Sequence, residues 1–236
     1  MKKFVEILPD KKALVESALV MVLEKIQLAI QERGLCTIAL AGGSTPKPLY
    51  EAIATHNLPW NKIHLFWGDE RYVAAEHPDS NQGMVRRSWL SLVNFPSENI
   101  HPMPTGAANP KVDAQIYENE LVKFFQVTAE KFPVFDIVLL GMGDDGHTAS
   151  LFPHTEAILV KDRLVTVGNK DGQPRLTLTA PLINNARCVL FLVAGANKRP
   201  ALKQVFAERA DSMTYPARLI QPQGELWWLL DRAAWS

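Results

Sequence analysis

The chain contains four short apolar runs, and each passes directly into a loop rich in glycine and polar residues. These runs span residues 36–41, 63–67, 135–140 and 188–193. They lack the alternation of a strand with one solvated face, so each is predicted to be a strand covered on both faces. A helix usually follows the loop. This alternation predicts an α/β fold of the Rossmann-like kind, a doubly wound, mostly parallel sheet with helices on both faces.

The remaining segments fit the same architecture. A strand is predicted around residues 4–8 and another over residues 225–230. Between the first strand and residue 36, a long helix is predicted, with Asp10 as its N-cap and Gly34 at its C-terminal end. Residues 94–110 are rich in proline and asparagine and are predicted to be a surface connection. No internal repeat or linker interrupts the pattern, so residues 1–236 are predicted to form a single domain.

Charge excludes several classes of partner. The 236 residues carry 25 Lys and Arg against 25 Asp and Glu, so the formal net charge is zero. We therefore expect neither nucleic acid nor an anionic membrane as a partner.

The apolar residues 13–30 include Glu16, Glu24 and Lys25, which indicates an amphipathic helix rather than a membrane span. No signal-peptide pattern follows Met1, and Cys36 and Cys188 are predicted to be reduced core residues, so a cytoplasmic location is expected.

The loop after the first of the four runs is suited to an anion. Gly42 and Gly43 allow the backbone to approach a ligand closely, and Ser44 and Thr45 add hydroxyl donors before the next helix. The N-terminus of that helix would add unpaired N–H groups and a partial positive charge. These features predict a site for a phosphate monoester. A simple strand-to-helix turn, capped by Ser44 or Thr45, is the alternative.

Charged residues follow two further runs. Asp69, Glu70 and Arg71 come directly after the second run, and Lys198 follows the fourth. Arg71 is predicted to bind phosphate in a bidentate manner, and Lys198 to supply a second cation. Asp69 and Glu70 are predicted either to accept hydrogen bonds from sugar hydroxyls or to hold Arg71. Ordinary solvated loop residues are the alternative interpretation.

The loop after the third run carries the clearest indication of chemistry. It combines three glycines and two carboxylates with His147 between residues 141 and 153. His147 is predicted to be a general base for water, and Asp145 to orient its ring. Nearby glycine N–H groups could receive an oxyanion. Three alternatives are weaker: a metal site, which lacks a recognised ligand spacing, a nucleophilic Ser150, and a purely structural His147.

Together these loops resemble the 6-phosphogluconolactonase family, which is related to the glucosamine- and galactosamine-6-phosphate isomerases. The matching segments are residues 40–46, 67–71 with 79–81, 141–153, 175–181 and 184–186, and Gly195 with Lys198. The resemblance implies hydrolysis of 6-phospho-D-glucono-1,5-lactone to 6-phosphogluconate, without a metal or cofactor. It also implies that the phosphate contacts Gly43, Ser44, Thr45, Arg71 and Lys198, with Arg175 as a further contact.

Two other functions are weighed against this one. A glucosamine-6-phosphate deaminase would share the Asp-Gly-His loop, but a glutamate is expected after it where this chain reads Thr-Ala-Ser-Leu-Phe-Pro. A non-catalytic sugar-phosphate sensor would usually accompany a DNA-binding module, which the neutral charge disfavours. The sequence leaves the oligomeric state open between monomer and dimer.

Overall fold

The computed structural model describes residues 2–128 and 131–236 and contains two sheets. The larger sheet has seven strands, all paired in parallel. They are β1 (Lys2–Leu8), β2 (Cys36–Leu40), β3 (Ile63–Trp67), β5 (Ile100–His101), β6 (Ile137–Leu140), β9 (Cys188–Val193) and β10 (Glu225–Asp231). The smaller sheet consists of β4 (Asp69–Arg71), β7 (Val165–Lys170) and β8 (Gln173–Leu178).

Helices connect most of these strands. They are α1 (Lys11–Arg33), α2 (Lys47–Ile53), α3 (Asn81–Ser88), α4 (Pro110–Phe125), α5 (Ala180–Asn184), α6 (Arg199–Phe206) and α7 (Arg232–Trp235). Every residue of β2, β6 and β9 is buried, so both faces of the central strands are covered. The predicted α/β fold with a mostly parallel sheet is therefore confirmed. Among the described helices, none is both long enough and apolar enough to cross a membrane.

Local signals fixed the ends of the longest helix as predicted. The Asp10 side chain accepts a hydrogen bond from the Ala13 N–H at 2.9 Å, and Gly34 adopts the left-handed conformation with φ 82°. The buried face of α1 consists of Leu14, Ala18, Val22, Ile26 and Ala29. Cys36 and Cys188 are free and buried, as expected. Burying a Leu, Val or Ile side chain contributes roughly 1.5–3 kcal/mol, so the buried face of α1 anchors the helix to the sheet.

The order of the strands places a crevice at the centre of the large sheet. From one edge to the other the order is β1-β10-β9-β6-β2-β3-β5. The chain moves from β2 to β3 and β5 in one direction, and from β6 to β9 and β10 in the other. The reversal lies between β2 and β6. Because ligands of open α/β sheets bind beyond the carboxyl ends of the strands at such a reversal, the loops after β2 and β6 flank the expected position of a site.

The three-stranded antiparallel sheet was not predicted. We expected residues 68–71 to be a loop, but Asp69–Arg71 forms β4 and pairs antiparallel with β8, which itself pairs with β7. The prediction failed because β4 is only three residues long and its partner lies about a hundred residues later. Likewise, residues 94–110 include the two-residue edge strand β5 within the predicted surface connection.

Candidate active site

The loops after β2, β3, β6 and β9 enclose a cleft of about 380 Å³ at the carboxyl end of the large sheet. All the predicted site residues line it except Asp145, which contacts His147 from behind. The lining includes Gly42, Gly43, Ser44, Thr45, Asp69, Arg71, His147, Arg175 and Lys198. Residues that are far apart in sequence therefore meet at one site.

The loop between β2 and α2 presents free amide groups to the cleft. Gly43 has φ +98°, a conformation that residues with side chains rarely adopt. Tyr50 fixes the end of β2, because its hydroxyl bonds both the N–H and the carbonyl of Ala41, at 3.0 and 2.7 Å. Within the described part of the chain, no acceptor bonds the N–H groups of Gly43, Ser44 or Thr45. Such a cluster of unpaired donors ahead of a helix favours an anion.

His147 and Asp145 form a closely bonded pair. The His147 Nδ1 lies 2.6 Å from the Asp145 Oδ1, and the same oxygen accepts the His147 backbone N–H at 3.0 Å. The imidazole ring also packs on Phe152, with ring centroids 4.5 Å apart. No polar atom of the described residues hydrogen-bonds the His147 Nε2. With one ring nitrogen held by a carboxylate, the other is available to a ligand in the cleft.

The charge on Asp145 is stabilised by this contact. Partial burial of the carboxyl raises its pKa, but the hydrogen bonds from the His147 ring and backbone N–H outweigh burial and lower the pKa to about 2. Asp145 is therefore ionised throughout the neutral range and orients the ring with Nδ1 as the donor. The arrangement matches a histidine that works as a base through Nε2.

Two glycines make the His–Asp loop possible. A methyl group at Gly143 would lie 2.1 Å from the His147 Nδ1 and 2.7 Å from the Asp145 Oδ1, closer than atoms can approach. The Gly143 N–H donates to the His147 carbonyl at 2.8 Å and closes the loop. Gly146 has φ +80° and packs against Tyr215. The glycine spacing seen in the sequence thus reflects the close packing of this loop around the histidine.

Arg71 and Arg175 are neighbours across the antiparallel pair β4–β8. Both line the cleft, and the Nε of each is buried without a hydrogen-bond partner among the described residues. Burial and then the charge of Arg71 lower the pKa of Arg175. Like charges placed directly opposite on a sheet are destabilising. Two arginines held this way, with unused donors, indicate a binding site for a multiply charged anion.

Asp69 is held by two buried neighbours. Its Oδ2 accepts the Ser150 hydroxyl at 2.7 Å, and its backbone carbonyl accepts the Asn81 Nδ2 at 2.9 Å. Ser150 is fully buried and does not line the cleft, so the geometry disfavours it as a nucleophile. Asn81 does line the cleft and packs so closely on Gly42 that a side chain at Gly42 would not fit. The only indication of Asn81 in the sequence was its place in residues 79–81, one of the segments that resemble the family.

Glu70 has a structural role. It is 2% exposed, and its carboxylate accepts the backbone N–H groups of Arg71, Asn81 and Gln82 at 2.6–2.8 Å. The Ser80 hydroxyl adds a fourth bond at 3.2 Å. Two of these N–H groups belong to the first turn of α3, so Glu70 caps that helix and supports the backbone beside Arg71. Of the two alternatives for Glu70, the structure favours support of the Arg71 segment over contact with a sugar hydroxyl.

Lys198 reaches the cleft from the loop after β9, and a carboxylate already holds it. The Asp144 Oδ1 accepts its Nζ at 2.5 Å and the Asn197 Nδ2 at 2.9 Å. This ion pair could not be predicted from the sequence, because the two residues lie in different loops. His154 is absent from the described lining of the cleft. Within residues 2–128 and 131–236, no group of three His, Cys, Asp or Glu side chains is arranged to hold a metal ion.

Comparisons with known proteins show which family this chain resembles. The family model described as glucosamine-6-phosphate isomerases/6-phosphogluconolactonase matches residues 9–228. The chain is 66% identical over 230 residues to the 6-phosphogluconolactonase of Synechocystis, covering 98% of this chain and 96% of that one. It is 36% identical over 242 residues to the 6-phosphogluconolactonase of Mycobacterium tuberculosis, covering 99% and 98% of the two chains.

Solved structures give the same relationship. The 6-phosphogluconolactonase of Trypanosoma brucei superposes with a TM-score of 0.89 at 30% identity, covering 99% of this chain and 97% of that one. A monomeric glucosamine-6-phosphate deaminase superposes with a TM-score of 0.78 at 19% identity, covering 99% and 98%. That likeness shows the shared fold alone. The fold is therefore common to both activities, and residues of the cleft must distinguish them.

Proposed function

This chain belongs to the family of glucosamine-6-phosphate isomerases and 6-phosphogluconolactonases, and we infer that it hydrolyses 6-phospho-D-glucono-1,5-lactone to 6-phosphogluconate. This is the hydrolytic step of the oxidative pentose phosphate pathway. The observation that carries the assignment is the pairing of His147 with Asp145 in a cleft that also holds Arg71 and Arg175. A base with a free ring nitrogen thus shares one cleft with an anion site, as a phosphorylated lactone requires.

His147 acts as the general base. Asp145 holds the Nδ1 hydrogen, so the Nε2 lone pair removes a proton from water as the water oxygen adds to the lactone carbonyl carbon C1. Asp145 then stabilises the imidazolium that forms. Collapse of the tetrahedral intermediate breaks the bond between C1 and the ring oxygen, and that oxygen takes the proton from Nε2. The new carboxylic acid ionises to complete the reaction.

The substrate phosphate binds at the paired arginines and the loop after β2. Arg71 and Arg175 offer Nε donors, and Gly43, Ser44 and Thr45 offer amides, that have no partner among the described residues. Lys198 adds a third cation at the cleft wall. Charge-assisted bonds to a dianion offset the repulsion between the two arginines. The phosphate therefore fixes the sugar while the lactone ring reaches His147.

The energetic demand on the base is moderate. General base catalysis contributes on the order of 10²–10⁴-fold, and holding water and carbonyl in alignment contributes further. A lactone reacts with water slowly even without an enzyme, so no covalent intermediate is needed. Backbone N–H groups of the loop after β6, which lines the cleft beside His147, are the donors we assign to the oxyanion.

The residues after His147 favour the lactonase over the deaminase. A deaminase needs a further carboxylate to move protons in the isomerisation, and Asp69 is the sole carboxylate in the described lining of the cleft. The Asp69 carboxylate already accepts hydrogen bonds from the Ser150 hydroxyl and the Asn81 amide, at 2.7 and 3.3 Å. Phe152 packs on the His147 ring in the segment where the deaminase glutamate would stand. We propose that the reaction takes place in the cytoplasm and uses neither a metal nor a cofactor.

The test is lactone hydrolysis at slightly acidic pH, where spontaneous opening is slow. Wild type is compared with His147→Ala and Arg71→Ala on freshly generated 6-phosphogluconolactone and on unphosphorylated gluconolactone. We expect turnover of the phosphorylated lactone alone, a loss of activity in His147→Ala, and a rise in KM in Arg71→Ala. A wild-type rate no faster than buffer would refute the proposed function, and glucosamine 6-phosphate would be tried next.

A further inference from the structure

We propose that Asp144 is a positioning residue that holds Lys198 at the wall of the cleft and offsets its charge, so that the more anionic product is released. The proposal rests on the lactonase reaction and concerns a residue that does not itself line the cleft. Asp144 lies in the same loop as the catalytic histidine, whereas Lys198 lies in the loop after β9. Their contact therefore joins the two loops on this side of the cleft.

The geometry restricts Lys198 to a single place. Its Nζ lies 2.5 Å from the Asp144 Oδ1, and the Asn197 Nδ2 donates to the same oxygen at 2.9 Å. The Lys198 side chain is 20% exposed, whereas that of Asp144 is 61% exposed. The lysine is thus enclosed at the cleft wall, and the carboxylate holds it from the solvent side. A lysine without this partner would retain the freedom of its four-carbon stem.

Asp144 keeps its charge under all ordinary conditions. The hydrogen bonds from Lys198 and Asn197, together with the lysine charge, lower its pKa and outweigh burial and the nearby charge of Asp145, which raise it. The carboxylate therefore offsets the Lys198 ammonium throughout the neutral range. Arg71 and Arg175 are the cleft cations whose Nε atoms have no such partner in the part of the chain that the structure describes.

Offsetting the Lys198 charge matters because the reaction product is more negatively charged than the substrate. The substrate carries its charge on the phosphate alone, and hydrolysis adds a carboxylate when the bond between C1 and the ring oxygen breaks. The cleft lining described above contains three permanent cations and the single carboxylate Asp69. A fully available third cation would bind the product more tightly than the substrate. Because product that binds too tightly leaves slowly and limits turnover, partial neutralisation of the Lys198 charge favours product release.

Asp144→Asn tests the proposal with little change of shape. The amide oxygen still accepts hydrogen bonds from Lys198 and Asn197, and the negative charge alone is lost. We expect 6-phosphogluconate to bind about fivefold more tightly, the factor that corresponds to ~1 kcal/mol for an exposed charge pair. The increase should appear both in product inhibition and in calorimetric binding. With Lys198 more available, KM should fall while kcat also falls, since release becomes slower.

Two controls separate this role from a general effect of charge or stability. Asp162→Asn removes a surface carboxylate that pairs with Arg163 and does not line the cleft, so product affinity should stay at the wild-type value. In the double variant Asp144→Asn with Lys198→Met, the gain in affinity should disappear, because the two residues act as one unit. Thermal unfolding of each variant verifies that the fold is intact.

The outcomes are distinct. Unchanged or weaker product binding in Asp144→Asn would overturn the proposal, as would a gain of equal size in the Lys198→Met background. Calorimetry with 6-phosphogluconate does not depend on turnover. If the wild type bound the product but failed to hydrolyse the lactone, the proposed function would fail on its own. If the wild type hydrolysed the lactone but the charge substitution left product affinity unchanged, this inference alone would fail.

Discussion

Gly143→Ala is expected to disable the base without removing any functional group. The added methyl would lie 2.1 Å from the His147 Nδ1 and 2.2 Å from its Cε1, both in the ring that must receive the proton. Restoring the 3.4 Å of ordinary contact requires the two atoms to separate by about 1.3 Å. Asp145 cannot follow that movement freely, because its Oδ1 would lie 2.7 Å from the same methyl.

The magnitude follows from that displacement. A misplacement of about 1 Å in a catalytic group costs on the order of 10²-fold in rate. We therefore expect kcat/KM to fall by about 10² or more, toward the value of His147→Ala. Phosphate binding should persist, because the arginines and the loop after β2 lie on other strands. The fall should thus be in kcat, with KM little changed.

The assay is lactone hydrolysis by Gly143→Ala, His147→Ala and wild type at the same pH. Gly106→Ala is the matched control, because its methyl would meet no atom within 4 Å and it lies outside the described lining of the cleft. It should retain wild-type activity. Wild-type kcat in a folded Gly143→Ala protein would refute the reasoning, since the base would then tolerate displacement. A loss of activity accompanied by unfolding, measured by circular dichroism, would equally contradict the expected local effect.

Three further predictions follow from the same geometry. Asp145→Asn should make the free energy of unfolding depend less on pH in the acid range. The depressed pKa of about 2 means that Asp145 stabilises the wild type above its unfolded pKa near 4, and this contribution is lost as the pH falls toward 2. Urea unfolding between those pH values measures it, and equal loss in both proteins would contradict it. Glu70→Gln should lower the free energy of unfolding by ~3 kcal/mol, because the amide cannot accept all four buried bonds; urea unfolding checks this, and a change below ~1 kcal/mol would refute it. Arg175→Gln should lower kcat/KM about 10- to 100-fold for the phosphorylated lactone, mainly through a higher KM, and a loss confined to kcat would argue against a phosphate contact.

Much of the fold could be predicted because its signals are local. Buried strands appear as unbroken apolar runs, and Asp10 and Gly34 bound α1 through contacts within a few residues. The position of the site also followed, because polar loops after parallel strands must meet at one edge of the sheet. His147 and Asp145 lie two residues apart, so their pairing across Gly146 was within reach of sequence reasoning.

Tertiary structure decided the contacts between distant segments. The order of strands around β2 and β6 depends on which apolar surfaces pack together, and local pattern does not encode that choice. The pairing of β4 with β8 places Arg175 opposite Arg71, although about a hundred residues separate them.

The same limit applies to the ion pair of Lys198 with Asp144, which joins two loops that the sequence shows only as separate polar segments. Residue type and local periodicity thus determined the longer strands of the large sheet, the ends of α1 and the pairing of His147 with Asp145. The partners of each cation were determined by long-range packing, because a charge acts on whatever the folded chain brings within a few ångströms of it.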